Sequence, residues 1–449
     1  VNDMKRFLAM FLAVALLSTL LFGCSSGSSQ SSSAGGNTES GEASGTSAEE
    51  ASSSGNGEPV TIQVAVSGSA QELDIHQQKF DLYTEEHPNV TIEPVDIGTE
   101  RFQKLMTLIG SGTAPDIIYI NEWCYSLAYR DVLMALDSFI EADEDFDLSY
   151  YPESLLVPLR YEDQLYALPQ EVSPYVMYYN KDMFEAAGLD LPTDDWTMDD
   201  FYAAAKALTN PDENVYGYRH PGAWADQILN WFSLSGVEFD TSGTEVKGLD
   251  TPEALSALEF LYNLVVVDKL SPNPAALTAM GKSADAMFRN QSVAMEASGL
   301  WTLPTYKADP LSFEWDVVRM PQGETRKVKA GILNWGISAD TKNPDAVWDL
   351  LKFLAGPEGM RIVAESNMAL PASTDEDANQ IVLDTHFPEN VKAFVDSVPD
   401  VDMTDQLSIY RTEVNTKLQE LVDKMLIGES TPEETQQALI KEINAILAG

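Results

Sequence analysis

Cysteine is nearly missing from this chain: its 449 residues include two, Cys24 and Cys124, on either side of a low-complexity tract, so the sequence supplies no disulfide framework. Basic residues are scarce as well, 27 against 71 acidic ones, and the resulting formal charge of -44 repels nucleic acid and anionic lipid surfaces over long range. The four histidines, His76, His87, His220 and His386, have no metal-ligand spacing. Phosphate-binding glycines are lacking too. The run Ala276 to Ser283 fits a loosened phosphate-loop pattern, but Ala stands for the first glycine and the prolines Pro272 and Pro274 precede it in place of a strand. Gly23 to Gly27 fits the G-x-S-x-G nucleophile pattern, yet it opens a polar tract where no strand-to-helix elbow can form. Adjacent carboxylates such as Asp194 and Asp195 arise by chance at this acidity, and no acid and nucleophile pair stands out for glycoside hydrolysis. Nothing points to a cofactor, and a secreted glycosidase is the weakest reading.

With 44% hydrophobic residues the chain is nonetheless able to bury a large core and is long enough for two lobes. Lys5 and Arg6 precede an apolar run from Phe7 to Phe22. That is short of the ~20 residues of a membrane span and suits a signal-peptide core. Leu21-Phe22-Gly23-Cys24 resembles a bacterial lipobox, with Phe22 bulkier than that pattern prefers. The resemblance implies that residues 1–23 are removed and that Cys24 is lipidated. From Ser25 to Gly57 no aliphatic residue larger than Ala and no aromatic occurs, so this stretch cannot bury a core. As a flexible coil it reaches roughly 30 Å, the behaviour of a tether over residues 24–58.

After Pro59 the pattern changes. Val60 to Val66 alternates at period two as a strand does, Ala70 to Glu86 reads as a helix stopped by Pro88, and Val90 to Val95 is a second strand. Phe102, Leu105, Met106 and Ile109 share one helical face before Gly110, and Asp116 to Ile120 forms a third strand. Strand and helix alternating at this spacing imply an α/β fold with a parallel sheet. Pro344 to Ala355 is a further amphipathic helix, and Thr431 with Glu434 forms a capping box that opens the last one. Parallel α/β sheets hold ligands beyond the carboxyl ends of strands, which directs attention to Ser67–Gln71 and to Asn121, Glu122 and Trp123.

Five segments then occur in a telling order: Gly112-Thr113-Ala114-Pro115-Asp116-Ile117-Ile118-Tyr119; Gln164-Leu165-Tyr166-Ala167-Leu168-Pro169, followed by Tyr178 to Asp182; Phe288 with Ser292 to Met295; Ser298-Gly299-Leu300-Trp301; and Gly331 to Ser338 with Asn343-Pro344 and Trp348. In this the chain resembles the family 1 extracellular solute-binding proteins of ABC importers, a group that includes maltose- and other oligosaccharide-binding proteins. The resemblance implies a two-lobed periplasmic-binding-protein-like fold with a hinge and an interlobe ligand cleft. It puts residues 59–169 and 313–370 in lobe one and 170–312 and 371–449 in lobe two. It further implies no enzymatic activity, a carbohydrate ligand, an ABC permease as partner, a cell-surface lipoprotein anchored to the bacterial membrane, and a monomer. Capture of a polyamine, peptide or metal by the same fold is the alternative.

A pyranose has an apolar face and a rim of hydroxyls, so its site needs flat aromatic surfaces beside oriented polar groups. Trp123, Trp224, Trp231, Trp301 and Trp335 are the aromatic candidates, and Glu122, Ser173, Gln227 and Asn334 are the candidates for gripping hydroxyls. Tyr410, next to Arg411, lies where the family brings a late aromatic from lobe two. Trp315 and Trp348 sit in amphipathic patterns and read as core, as do Tyr175, Tyr178 and Tyr179, although tyrosine clusters bind ferric iron in related folds. Cys124 reads as a small buried apolar residue.

Overall fold

A computed structural model describes residues 58–220, 225–280 and 284–449. The signal-peptide and lipobox reading, Cys24, the tether to Gly57, Trp224 and the Gly281-Lys282-Ser283 part of the loosened phosphate loop lie outside the described residues. No helix among the described residues is long and apolar enough to cross a membrane.

Two sheets organise the fold. The larger has strands β1 (Val60–Val66), β2 (Val90–Asp96), β3 (Ile117–Ile120), β6 (Leu168–Pro174), β11 (Ala330–Ile337) and β12 (Leu370–Pro371), in the order β12-β6-β11-β3-β1-β2. A short hairpin, β4 (Arg160–Tyr161) with β5 (Gln164–Leu165), stands apart. The smaller sheet has β7 (Val176–Asn180), β8 (Tyr216–Arg219), β9 (Val293–Ser298) and β10 (Trp315–Arg319), in the order β10-β7-β9-β8. β1 runs parallel to both β2 and β3, and the expected helices lie between them, Ala70–Glu86 and Arg101–Gly110. Ser69 and Thr431 each close a capping box, with Glu72 and Glu434, so that free backbone donors at both helix starts are satisfied.

The chain changes sheets where strand chemistry allows it to continue. Only Tyr175 separates β6 in the large sheet from β7 in the small one, and the return runs from Arg319 to Ala330. Sheet membership and the expected lobe limits differ at two places. Residues up to 174 still belong to the large sheet, and Trp315–Arg319, assigned above to lobe one, pairs antiparallel with β7 in the small sheet. After residue 370, Val382 packs into a cluster that residues of both sheets share, and Phe394 meets Tyr178 of the small sheet with ring centres 6.2 Å apart. Period-two alternation explains β7: Met177 and Tyr179 face one core, while Tyr178, between them, faces the other.

Two of the expected ligand-facing tryptophans are core residues. Trp335 is 0% exposed, set edge-on against His76 and Tyr119, with its Nε1–H donating to Gln170 Oε1 at 3.0 Å. Trp231 is 1% exposed in the smaller sheet's core among Phe201, Tyr218 and Phe260. In each case the side of the element that carries the indole is the side covered by the neighbouring layer. Trp335→Phe keeps the ring but removes the donor, and should lower unfolding free energy by about 1–2 kcal/mol in urea titration without changing ligand affinity. Trp348, Cys124 and Tyr178 are buried, as read above, and Tyr178 stacks on Trp315 at 5.7 Å.

Candidate functional site

The carboxyl ends of β1 and β3 on one side, and of β8 and β9 on the other, bring the polar and aromatic groups together. β9 runs through Ser298 into Gly299 and a single turn, Leu300–Thr302, that carries Trp301. Ser173 is 3% exposed and its Oγ accepts from Leu300 N at 2.7 Å, while Tyr178 Oη donates to the Gly299 carbonyl at 2.7 Å. Ser173, expected to grip a ligand hydroxyl, therefore holds the Trp301 turn in place. Two glycines make room for the indole: a Cβ on Gly299 would lie 2.1 Å, and one on Gly331 2.6 Å, from Trp301 Cζ3. Tyr175 meets the indole edge-on, ring centres 5.5 Å apart. The indole is thus braced on backbone and by an aromatic edge, and is still half-buried rather than enclosed.

Charge converges on Arg411, the first residue of the helix Arg411–Leu426 and 3% exposed. Its guanidinium donates to Asp226 Oδ1 and to Asp405 Oδ2, each at 2.8 Å, and lies 3.5 Å from Glu122 Oε1, beyond the end of β3. Asp405 also accepts from Lys329 Nζ at 2.6 Å, and Lys329 pairs with Asp402 at 3.3 Å. Burial alone would lower the Arg411 pKa, yet Asp226, Asp405 and Glu122 together raise it. Burial pushes the Glu122 carboxyl up against the pull of Arg411, with Asp226 adding to the rise. Burial would also raise the Asp402 carboxyl, but Lys329 and the Thr404 hydrogen bonds hold it at about 2, below the ordinary 3.8. A carboxyl depressed on folding contributes stability above its unfolded pKa and loses it as pH falls through the folded value. Melting temperature should therefore fall as pH drops from 3.8 toward about 2, and Asp402→Asn should flatten that part of the profile.

Beyond the end of β3, Asn121 is the hub. Its Nδ2 donates to the Ile332 carbonyl at 2.7 Å and its Oδ1 accepts from Arg101 at 3.3 Å; Arg101 Nε also donates to Ser67 Oγ at 2.8 Å. Asn334, 2% exposed, donates to the carbonyls of Ile120 and Asn121 at 3.3 and 3.0 Å. It fixes the path of the chain into Glu122 and is too buried to meet a solute. Trp123 is 9% exposed and packs on Phe102 at 5.4 Å. Gln227 is 5% exposed, interacts with the Tyr175 hydroxyl, and leaves Oε1 without a partner among the described residues. Tyr410 is half-buried, and a Cβ added at Gly449 would lie 3.7 Å from its hydroxyl.

Of the expected residues, then, Glu122, Gln227 and Trp301 fall within one constellation, Trp123 and Tyr410 at its margins, and Ser173 and Asn334 behind it. Sequence reasoning missed Arg101, Asp226 and Asp405, and read Tyr175 as packing. Asp226 and Tyr175 carried a usable signal, since each adjoins a residue already singled out or a sheet crossing; Arg101 and Asp405 carried none. No group of three or more His, Cys, Asp or Glu among the described residues is arranged to hold a metal ion.

A family model described as bacterial extracellular solute-binding protein matches residues 68–361. A protein of Brucella abortus, named only as a binding protein, is 27% identical over 315 residues, covering 65% of this chain and 71% of its own. An sn-glycerol-3-phosphate-binding periplasmic protein of Pectobacterium atrosepticum is 24% identical over 398 residues, 82% of this chain and 86% of its own. Among solved structures, an ABC substrate-binding protein of Listeria monocytogenes in complex with cycloalternan superposes with a TM-score of 0.79 at 26% identity, covering 86% of this chain and 98% of its own.

Proposed function

The chain belongs to the family of bacterial extracellular solute-binding proteins, a family of binding proteins and not of enzymes, and from that premise we propose that it captures a sugar or oligosaccharide between two lobes and delivers it to an ABC permease. The observation that carries the carbohydrate reading is Trp301: a half-buried indole backed by Gly299 and Gly331, with buried polar groups beside it. A flat apolar face next to fixed acceptors suits a pyranose better than a peptide, whose backbone would need donors and acceptors in alternation. The Listeria relative solved with cycloalternan supports the same class.

In this reading the lobes divide at the sheet crossings, near Tyr175 and between Arg319 and Ala330. Ligand favours closure by contacting both lobes at once, Trp301 and Gln227 from one and Glu122 from the other. Thermal shift against mono- and oligosaccharides tests it directly. A ligand at 100 times its Kd adds about 2.7 kcal/mol of stability, and silence from every saccharide would sink the reading.

Export as a lipoprotein belongs to the same proposal. It is supported by the apolar run Phe7–Phe22, the lipobox-like Leu21 to Cys24 and a Ser/Gly-rich stretch that suits a monomer turning on a tether. Cys24→Ala should move the protein from the membrane fraction to the medium when it is expressed in a bacterium and the fractions are blotted. Unchanged membrane retention would remove Cys24 as the anchor.

A further inference from the structure

The relatives include binders of an uncharged saccharide and of a phosphate ester, and the charges around the cleft separate the two. Among the described residues around the site, Arg411 and Lys329 are held by carboxylates and Arg101 by neutral partners. Arg411 is shared by Glu122, Asp226 and Asp405, and Lys329 by Asp402 and Asp405. Arg101 donates to Ser67 and Asn121. Glu122, Asp226, Asp402 and Asp405 thus face Arg411 and Lys329, four carboxylates to two cations, and Tyr175, which meets the Trp301 indole edge-on, lies in the field of Asp226 and Glu122.

A buried acceptor adds to this. Gln227 Oε1 is buried beside Tyr175 and Asp226 and has no partner among the described residues. It is an acceptor, so a solute that completes it must bring a donor. A hydroxyl or an ammonium does so, whereas a phosphate dianion brings only more acceptors and charge. The donor Arg411 Nε also has no partner among the described residues, but its guanidinium sits among three carboxylates, and a phosphate approaching it would have to enter that negative field.

Resting on the carbohydrate reading above, we infer that the cleft selects an uncharged or amine-bearing saccharide and rejects phosphate esters and other anionic solutes. This separates the chain from its glycerol-phosphate-binding relative despite their shared family. Like charges brought together at a binding surface cost several kcal/mol, so a phosphate group on an otherwise bound sugar should weaken binding by about a hundredfold.

Isothermal titration of the purified chain tests the inference with three sets of probes: uncharged saccharides of one to seven units, their 2-amino counterparts, and phosphate esters including glucose 6-phosphate, maltose 1-phosphate and sn-glycerol 3-phosphate. An uncharged or amino sugar that binds at least about tenfold more tightly than any phosphate ester supports it. A phosphate ester that binds within that margin, or more tightly, overturns it and leaves solute capture standing. If no probe of any set binds, the carbohydrate reading falls and the inference with it. Glu122→Gln supplies an independent readout, because lowering the negative field should narrow the gap between sugar and phosphate ester; an unchanged or wider gap in a folded variant counts against the charge mechanism.

Discussion

Arg411→Met is expected to cost the folded chain about 3–5 kcal/mol, as removal of one partner from a buried ionic cluster does. The guanidinium is 3% exposed and donates to both Asp226 and Asp405. Methionine fills most of the volume but leaves Asp405, itself 2% exposed, with Lys329 alone to oppose its charge. Asp226 and Glu122 are less buried and relax toward water, which caps the loss. Urea denaturation gives the number, and a loss below about 1 kcal/mol would mean that the cluster behaves as a solvated surface network. Adding Asp405→Asn to Arg411→Met should restore part of the stability, since the uncompensated charge is then gone; purely additive losses would deny the coupling.

Trp301→Ala is expected to weaken solute binding by about 2–4 kcal/mol, roughly 30- to 1,000-fold in Kd, the range of aromatic anchors in desolvated sites. Its effect on folding should be small by comparison, because the indole is half-buried and rests on the backbone of Gly299 and Gly331. The pairing of a large affinity loss with a small stability loss distinguishes it from Trp231 or Trp335, whose removal opens a core. Gly331→Ala offers a subtler version. Its methyl would meet Trp301 Cζ3 at 2.6 Å, so the indole must tilt, and affinity should fall with every ligand-contacting side chain still present. Titration of both variants with the saccharide found by screening measures these effects. Unaltered affinity in Trp301→Ala would shift the platform to another aromatic, with Trp123 next in line.

Behind the site, Ser173, Asn334 and Tyr178 spend their hydrogen bonds on backbone: Leu300 N, the Ile120 and Asn121 carbonyls, and the Gly299 carbonyl. A site supported in this way meets its solute with side chains already oriented, which reduces the ordering cost of binding. Lys79, Gln170 and Trp335 form a similar buried support under the large sheet, where burial lowers the Lys79 ammonium to about 8 while Glu171 holds it from falling further.

Local pattern was enough for the elements. Period-two alternation in Val60–Val66, the Ala70–Glu86 helix and the Thr431–Glu434 capping box are properties of neighbouring residues, written within a few positions of one another. The polar tract to Gly57 and the order of short segments that carries the family resemblance are local in the same sense. Which tryptophan meets a solute was not. Trp301 and Trp335 stand in segments of similar composition, and only the stacking of layers covers one face of β11 completely while leaving the turn after β9 open. The ionic cluster was equally hidden, because Arg411 finds Asp226 from 185 positions away. Among 71 acidic residues no sequence rule singles out the partners of one guanidinium. Periodicity and capping depend on backbone geometry that every chain shares, so the sequence determined them alone; burial and charge pairing depend on which distant surfaces meet, and only the tertiary structure decided that.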